Sequence, residues 1–448
     1  MSSRVLFPRV RESKFRGNTT YKPTLSSLPL EETYRVLSKG ASFGVNDLIQ
    51  SLTAHSRVGN PSFDALSILA NRAANSSSFF YPPQILQAIS LFQKISYSQP
   101  ELFEFIASRK TDLLNEASPR RIVTLVSAMA DLHLPLFHGE IWPEIRSEIC
   151  KLAPQFRRGI PKLVRSLVYQ NCADVELLNG LLTQAVCLVE SGELERSVLI
   201  HSIFEASKIG LGKEFFNHIS LENATLNQSV YLAGIALRMG QPWERFESQI
   251  LTGFNGQIYS TARLIQLCFR VGVASRNINL AIAQFLENNL ENADYCRKFL
   301  PYNLFAVSAV GDFANLVLKK VSPAIDTYSA EKLLLLARAS LVAGNDSADL
   351  FMNAIKPIAR QLTVRQSRLL WECAPGIIPV HALPPLVAPG THEIDTVVVG
   401  PYTLTNQHTL TLPKDEIFVP GSTETRPEIS LRLNALKKFE PQTRIVPL

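Results

Sequence analysis

The sequence predicts an all-α chain, an α-solenoid of degenerate helical hairpins with a period of about 30–39 residues and an extended Pro-rich C-terminal tail. Three observations carry this expectation. Apolar residues recur at helical spacing from about residue 43 to 373, the helical segments end repeatedly on an apolar residue followed by glycine, and proline becomes dense from residue 374 onward. The chain therefore divides into a basic leader (1–30), a helical-repeat body (43–373) and a tail (374–448).

The leader comes first. Across 448 residues, 45 basic and 39 acidic side chains leave a net charge of +6. Arg4, Arg9, Arg11, Lys14, Arg16 and Lys22 face a single acid, Glu12, so the first thirty residues hold +5 and everything after them sums to +1. Hydroxyl residues and scattered apolar ones fill the rest, the composition of a mitochondrial transit peptide. The same composition also suits a basic arm that stays on the mature protein and docks into a partner. The body lacks the broad positive charge by which a protein grips duplex nucleic acid.

In the body, the phrases HSRVGN (55–60), SKIGLG (207–212), LRMGQP (237–242), FRVGVA (269–274), SAVGDF (308–313) and LVAGND (341–346) share one ending. Gly210, Gly240, Gly272, Gly311 and Gly344 are separated by 30, 32, 39 and 33 residues, which fits two helices of about four turns and two short turns. An apolar residue precedes each glycine, and a small one lies four or five positions earlier: Ala54, Ala206, Ala236, Cys268, Ala306 and Ala339. ADLHLP (130–135), with Ala128 and Leu132, continues the phase without glycine. Small side chains let neighbouring helices approach, and glycine accepts the left-handed cap conformation cheaply. Second helices are expected over 175–191, 276–290 and 347–362, and Ser118–Pro119 reads as an N-cap and first-turn pair. A single hairpin cannot bury both its faces, so the units must stack.

Eleven prolines between Pro375 and Pro447 exclude continued helix in the tail. Short β-favouring runs there predict a hairpin near 396–412, with a short helix near 428–439.

Motifs that carry chemistry are scarce. Cys150, Cys172, Cys187, Cys268, Cys296 and Cys373 form no CxxC-type pair and the eight histidines no HxxxH pattern, so buried helix cysteines in a reducing compartment are expected rather than a metal site. GLGK (210–213) lacks phosphate-loop spacing and follows a helix, so it reads as a cap. Asp415 and Glu416 lie in the tail and read as solubilising charges. No catalytic residue, cofactor or metal is assigned, and no apolar run reaches the roughly 18–20 residues that a membrane-spanning helix needs.

Basic clusters are the remaining handle. Arg157, Arg158, Lys162 and Arg165 open one helical segment, with the last three spaced to share a face. Arg120 and Arg121 begin the preceding unit, and Lys319, Lys320, Arg360, Arg365 and Arg368 gather later. If first helices line one surface, these side chains form a discontinuous phosphate-contacting strip; otherwise they belong to solvated helix faces. Tyr169, Tyr231, Tyr259 and Phe269 are available for stacking on bases or for the core.

The glycine-ended helical hairpins, the period in the thirties and the basic leader resemble those of organellar helical-repeat proteins of the heptatricopeptide, octotricopeptide and pentatricopeptide kinds. The resemblance covers residues 43 to 373. It implies a mitochondrial protein that binds single-stranded RNA or rRNA, or sits beside other protein subunits in a ribonucleoprotein assembly such as a mitochondrial ribosome or an RNA-processing or editing complex. The regular set of polar positions that a one-base-per-repeat code requires is not found here, which adds weight to a scaffold role. The alternative is a protein-only scaffold holding a partner peptide or helix in the solenoid groove.

Overall fold

The computed structural model describes residues 44–377 except for stretches at 57–62, 96, 98–99, 116, 133, 135–140, 171–173, 220–222, 308–316, 363 and 376. Beyond these it describes residues 32, 35, 36, 396–399, 402–405, 409–412 and 425–447. The leader, Gly59, Gly311, Cys172, Asp415 and Glu416 lie outside the described residues.

The described chain is mostly helical, as its apolar periodicity predicts. One row of helices organises it, and we number that row α1 (Val45–His55), α2 (Pro82–Ile95), α3 (Pro119–Asp131), α4 (Ile160–Tyr169), α5 (Arg196–Ser207) and α6 (Leu226–Arg238). It continues through α7 (Ile258–Val271), α8 (Leu300–Val307), α9 (Ala330–Val342), α10 (Val364–Cys373) and α11 (Pro427–Lys437). Each packs on the next, from α1 to α11. Second helices such as Phe63–Asn75, Ile141–Leu152, Val175–Glu190, Glu244–Gly253 and Ser347–Ile355 pack on members of this row. The buried side chains form one apolar cluster running from Leu48 to Leu436.

The repeated ending has a common geometry. Gly210, Gly240, Gly272 and Gly344 adopt φ of +80°, +62°, +81° and +64°. The amide after each glycine donates back five residues, Leu211 to Ala206 (3.2 Å), Gln241 to Ala236 (2.8 Å), Val273 to Cys268 (2.9 Å) and Asn345 to Ser340 (2.8 Å). This is the Schellman closure, which satisfies carbonyls that the last helical turn leaves open. Leu134 donates to the Met129 carbonyl in the same way (2.9 Å), so the variant unit keeps the closure. Ala128, Ala206, Ala236, Cys268 and Ala339 are no more than 1 % exposed. Ala54 is only half-buried. GLGK is a cap, with Gly210 and Gly212 both left-handed. Ser118 accepts the Arg121 amide at 3.4 Å with Pro119 behind it.

Successive units are joined at a nearly constant sequence distance. Arg238 of α6 donates to its own Gly234 carbonyl (2.9 Å) and to the Val271 carbonyl of α7 (3.1 Å). Its guanidinium lies 4.7 Å from the Phe204 ring centroid of α5, so one side chain ties three consecutive helices. Arg196–Gln228, Gln266–Asn303 and Arg270–Tyr231 bridge units at separations of 32, 37 and 39 residues. Gly234 permits the close approach, since a β-carbon there would lie 2.4 Å from Val271 Cγ1.

The described residues of the C-terminal stretch form short strands and one helix. β1 (Thr396–Val399) and β2 (Tyr402–Thr405) form an antiparallel hairpin, while β3 (Thr409–Leu412) pairs in parallel with β4 (Arg444–Pro447) and α11 lies between these two in sequence. Tyr402, Leu404, Leu410, Ile429 and Leu436 are buried, and α11 packs on both α9 and α10. Proline forbids continued helix but leaves room for four-residue strands. Tyr402 and Leu404 of β2 are covered, with Tyr402 against Trp371 of α10.

Candidate nucleic-acid interface

The basic candidates begin on α3 and α4, adjacent members of the row. Arg120 is exposed and Arg121 half-buried in the first turn of α3. α4 starts at Ile160 with Pro161 in its first turn, so Arg157 and Arg158 precede the helix instead of opening it. The face shared by Arg158, Lys162 and Arg165 is thus reduced to Lys162 and Arg165, both exposed.

Four of the basic candidates are matched by carboxylates. Arg157 pairs with Glu193, Arg158 with Glu195 at 3.9 Å, and Arg165 with Asp131 at 3.8 Å, in each case across units. Glu193 is held below the usual carboxylate range by its hydrogen bond from Arg157. Lys320 pairs with Glu291 at 3.0 Å. Exposed pairs of this kind contribute little stability, but they cancel the local positive field. Lys319 is exposed, and among the described residues Arg120, Lys162 and Lys319 have no ion pair. Arg360 lies in the 3-10 turn Lys356–Gln361, and Arg365 in the first turn of α10.

Arg368 is placed differently from its expected surface role. It is 7 % exposed, in a buried polar knot where the helix row meets the C-terminal strands. Burial follows from its place on α10, whose Leu370 and Trp371 are fully buried by the segment that follows. At the knot's centre is Glu372. Arg432 Nε of α11 donates to its Oε1 at 2.8 Å, the Tyr402 hydroxyl donates to the same oxygen, and Arg338 Nη2 of α9 stands 3.6 Å from Oε2. Arg338 also lies over the Phe305 ring at 4.7 Å, and Trp371 stacks on Phe439 with centroids 5.6 Å apart. Burial pushes the Tyr402 phenol far above its ordinary range, so it stays a neutral donor. The knot fastens α9, α11 and β2 to α10 through one carboxylate, a role for Glu372 that residue spacing does not announce.

The aromatics considered for base stacking mainly join helices. Tyr231 meets Phe204 edge-on at 5.0 Å, Phe269 meets Phe305 at 5.6 Å and Tyr259 meets Phe299 at 5.3 Å. Tyr259 remains 47 % exposed, with its hydroxyl donating to Asp294. The more open pair is Phe79 and Tyr81, 74 % and 73 % exposed on either side of buried Phe80. Their only signal in the sequence is the run SSSFFYPP just ahead of α2.

Burial pushes the thiols of Cys268 and Cys373 up to about 12, which keeps them protonated and non-nucleophilic. Among the described residues no cluster of metal-ligating side chains occurs, and no helix is long and apolar enough to cross a membrane. No protein-family model and no curated protein matches the chain.

Proposed function

We propose that this protein is a non-catalytic mitochondrial α-solenoid that serves as a structural subunit of a ribonucleoprotein assembly, a mitochondrial ribosome or an RNA-processing or editing complex. The carrying observation is the unbroken row from α1 to α11, in which each helix packs on the next. Such a row builds a long surface from short-range contacts, the property that lets helical repeats hold extended partners. Contact with single-stranded RNA or rRNA falls to local cations, with Arg120, Arg121, Lys162 and Lys319 the leading candidates and Arg360 and Arg365 further ones. The basic leader supplies the mitochondrial address or a docking arm.

Crosslinking in purified organelles followed by sequencing of the bound RNA tests this reading. Enriched rRNA or mRNA fragments, reduced severalfold by Arg120→Glu combined with Lys162→Glu, are the expected outcome. No enriched RNA at physiological salt would overturn the RNA part.

A protein-only scaffold is the second reading, favoured by two observations. Arg157, Arg158 and Arg165 are matched by acids, and Phe79 and Tyr81 offer exposed aromatic area of the kind that anchors protein interfaces. Co-purification of a stoichiometric protein partner, lost on Phe79→Ala with Tyr81→Ala and unaffected by nuclease, would establish it.

A further inference from the structure

The parallel pairing of β3 with β4 sets Thr409 opposite Arg444, so the first residues of both strands lie side by side. The last residue of α11, Lys437, reaches the same place. Together with Pro441, Gln442 and Thr443 these residues line a cleft of about 480 Å³. Its chemistry is one-sided. Two cations, one amide and two hydroxyls line it, and no acid does.

The cleft has a fixed floor. Thr443 is 1 % exposed, its hydroxyl donates to the Glu440 carbonyl at 2.7 Å, and its amide donates to that same carbonyl at 3.1 Å. That double bond locks the turn between α11 and β4 and so sets where Arg444 begins. Lys437 and Arg444 are both exposed, and neither has an ion pair among the described residues. Elsewhere on this molecule, Arg157, Arg158, Arg165 and Lys320 are matched by carboxylates, while Arg120, Lys162 and Lys319 have no ion pair among the described residues. Here two like charges share a cleft without one, and the exposed Lys438 lies outside its lining. Two cations converging on one cleft raise its positive potential and so favour an anion there.

We propose that this cleft binds a phosphate monoester. The guanidinium of Arg444 offers a planar fork for two phosphate oxygens, Lys437 supplies a point charge, and Gln442 can donate through its amide. The volume falls within the range of small-ligand sites and exceeds what a bare phosphate fills. No aromatic side chain lines the cleft, so it reads the phosphate and not the base. The ligand is a phosphate monoester, either a free nucleoside monophosphate or the phosphorylated end of an RNA strand. This site does not depend on RNA contact by the helix row.

Isothermal titration of the full chain tests the assignment, with AMP, UMP, inorganic phosphate and one oligoribonucleotide carrying either a 5′-phosphate or a 5′-hydroxyl. AMP and UMP should bind alike, and Lys437→Gln with Arg444→Gln should weaken them by about tenfold or more. Lys438→Gln should change binding by less than about twofold. Both variants alter exposed side chains, and an unchanged circular dichroism spectrum verifies that they fold. A preference for the 5′-phosphorylated oligonucleotide over AMP identifies an RNA end as the ligand. Equal binding of the two oligonucleotides, with AMP bound through Lys437 and Arg444, identifies a free nucleotide. Absence of phosphate-ester binding, or binding that the double variant leaves intact, overturns the proposal.

Discussion

Glu372 concentrates more of the structure in one side chain than any other residue described above. It is 3 % exposed and receives Arg432 of α11, Arg338 of α9 and the Tyr402 hydroxyl. Removing one member of a buried ionic cluster leaves the others desolvated and uncompensated, so Glu372→Ala should lose about 3–5 kcal/mol, read as a lower urea midpoint. An unchanged midpoint would mean that water already screens the knot. His55 gives a second test at this scale. It is 1 % exposed, neither ring nitrogen has a hydrogen-bond partner among the described residues, and burial lowers its pKa from 6.5 to about 4. The unfolded chain therefore takes up this proton first as pH falls. The resulting stability is intact above pH 6.5 and is lost between 6.5 and about 4. Between pH 7 and pH 5 the native state should lose about 2 kcal/mol through His55, and His55→Leu should flatten that part of the profile.

Among the elements, the helix ends were legible and the helix contacts were not. Thr225 and Gln228 form a reciprocal capping box at the start of α6, with bonds of 3.3 and 3.0 Å. Thr225→Ala should cost about 1 kcal/mol, a modest shift in thermal midpoint because the buried face of α6 remains. Gly234 within the same helix behaves differently. In an isolated helix, alanine would be the better residue by about 1 kcal/mol. Here its β-carbon would meet Val271 Cγ1 at 2.4 Å and crowd Arg238 Nη1 at 3.1 Å. Gly234→Ala should therefore destabilise by about 1–3 kcal/mol, against helix propensity, and Gly234→Ala with Val271→Ala should recover part of the loss. A stabilising Gly234→Ala would show that α6 and α7 stand further apart. Residue pattern marked Ala236 as a small contact position because it recurs relative to a glycine ending. Gly234 recurs in no such register, so nothing in the sequence separated it from an ordinary helix breaker.

At the scale of the whole molecule, contacts are local in sequence except at the C-terminal end. The helix row joins neighbours, whereas the Arg432–Glu372 bond spans 60 residues. Ending the chain after Cys373 would uncover Leu370 and Trp371, both fully buried, and leave Arg338 and Glu372 facing water. Hydrogen exchange should then rise in α9 and α10 while α3 to α6 keep their protection, as a nearest-neighbour stack requires. Loss of protection along the entire row would contradict this independence. Charge follows the same logic of locality. Five of the six net positive charges sit in the leader, and in the body the exposed Arg157, Arg158 and Arg165 meet acids one unit away.

Sequence alone determined the helical body, the left-handed glycine closures, the capped start of α3 and the place where helix gives way to short strands. Each depends on neighbours within a few residues, where periodicity, glycine and proline act directly on the backbone. Only the tertiary structure decided that Arg368 is buried, that Arg157, Arg158 and Arg165 are paired with acids, and that α11 packs on α9 and α10. It alone also brought Lys437 and Arg444 to one cleft. Charge type can be read from a residue's name, but its partner stands a unit or more away in sequence, and pairing or burial across that distance is fixed only when the helices pack.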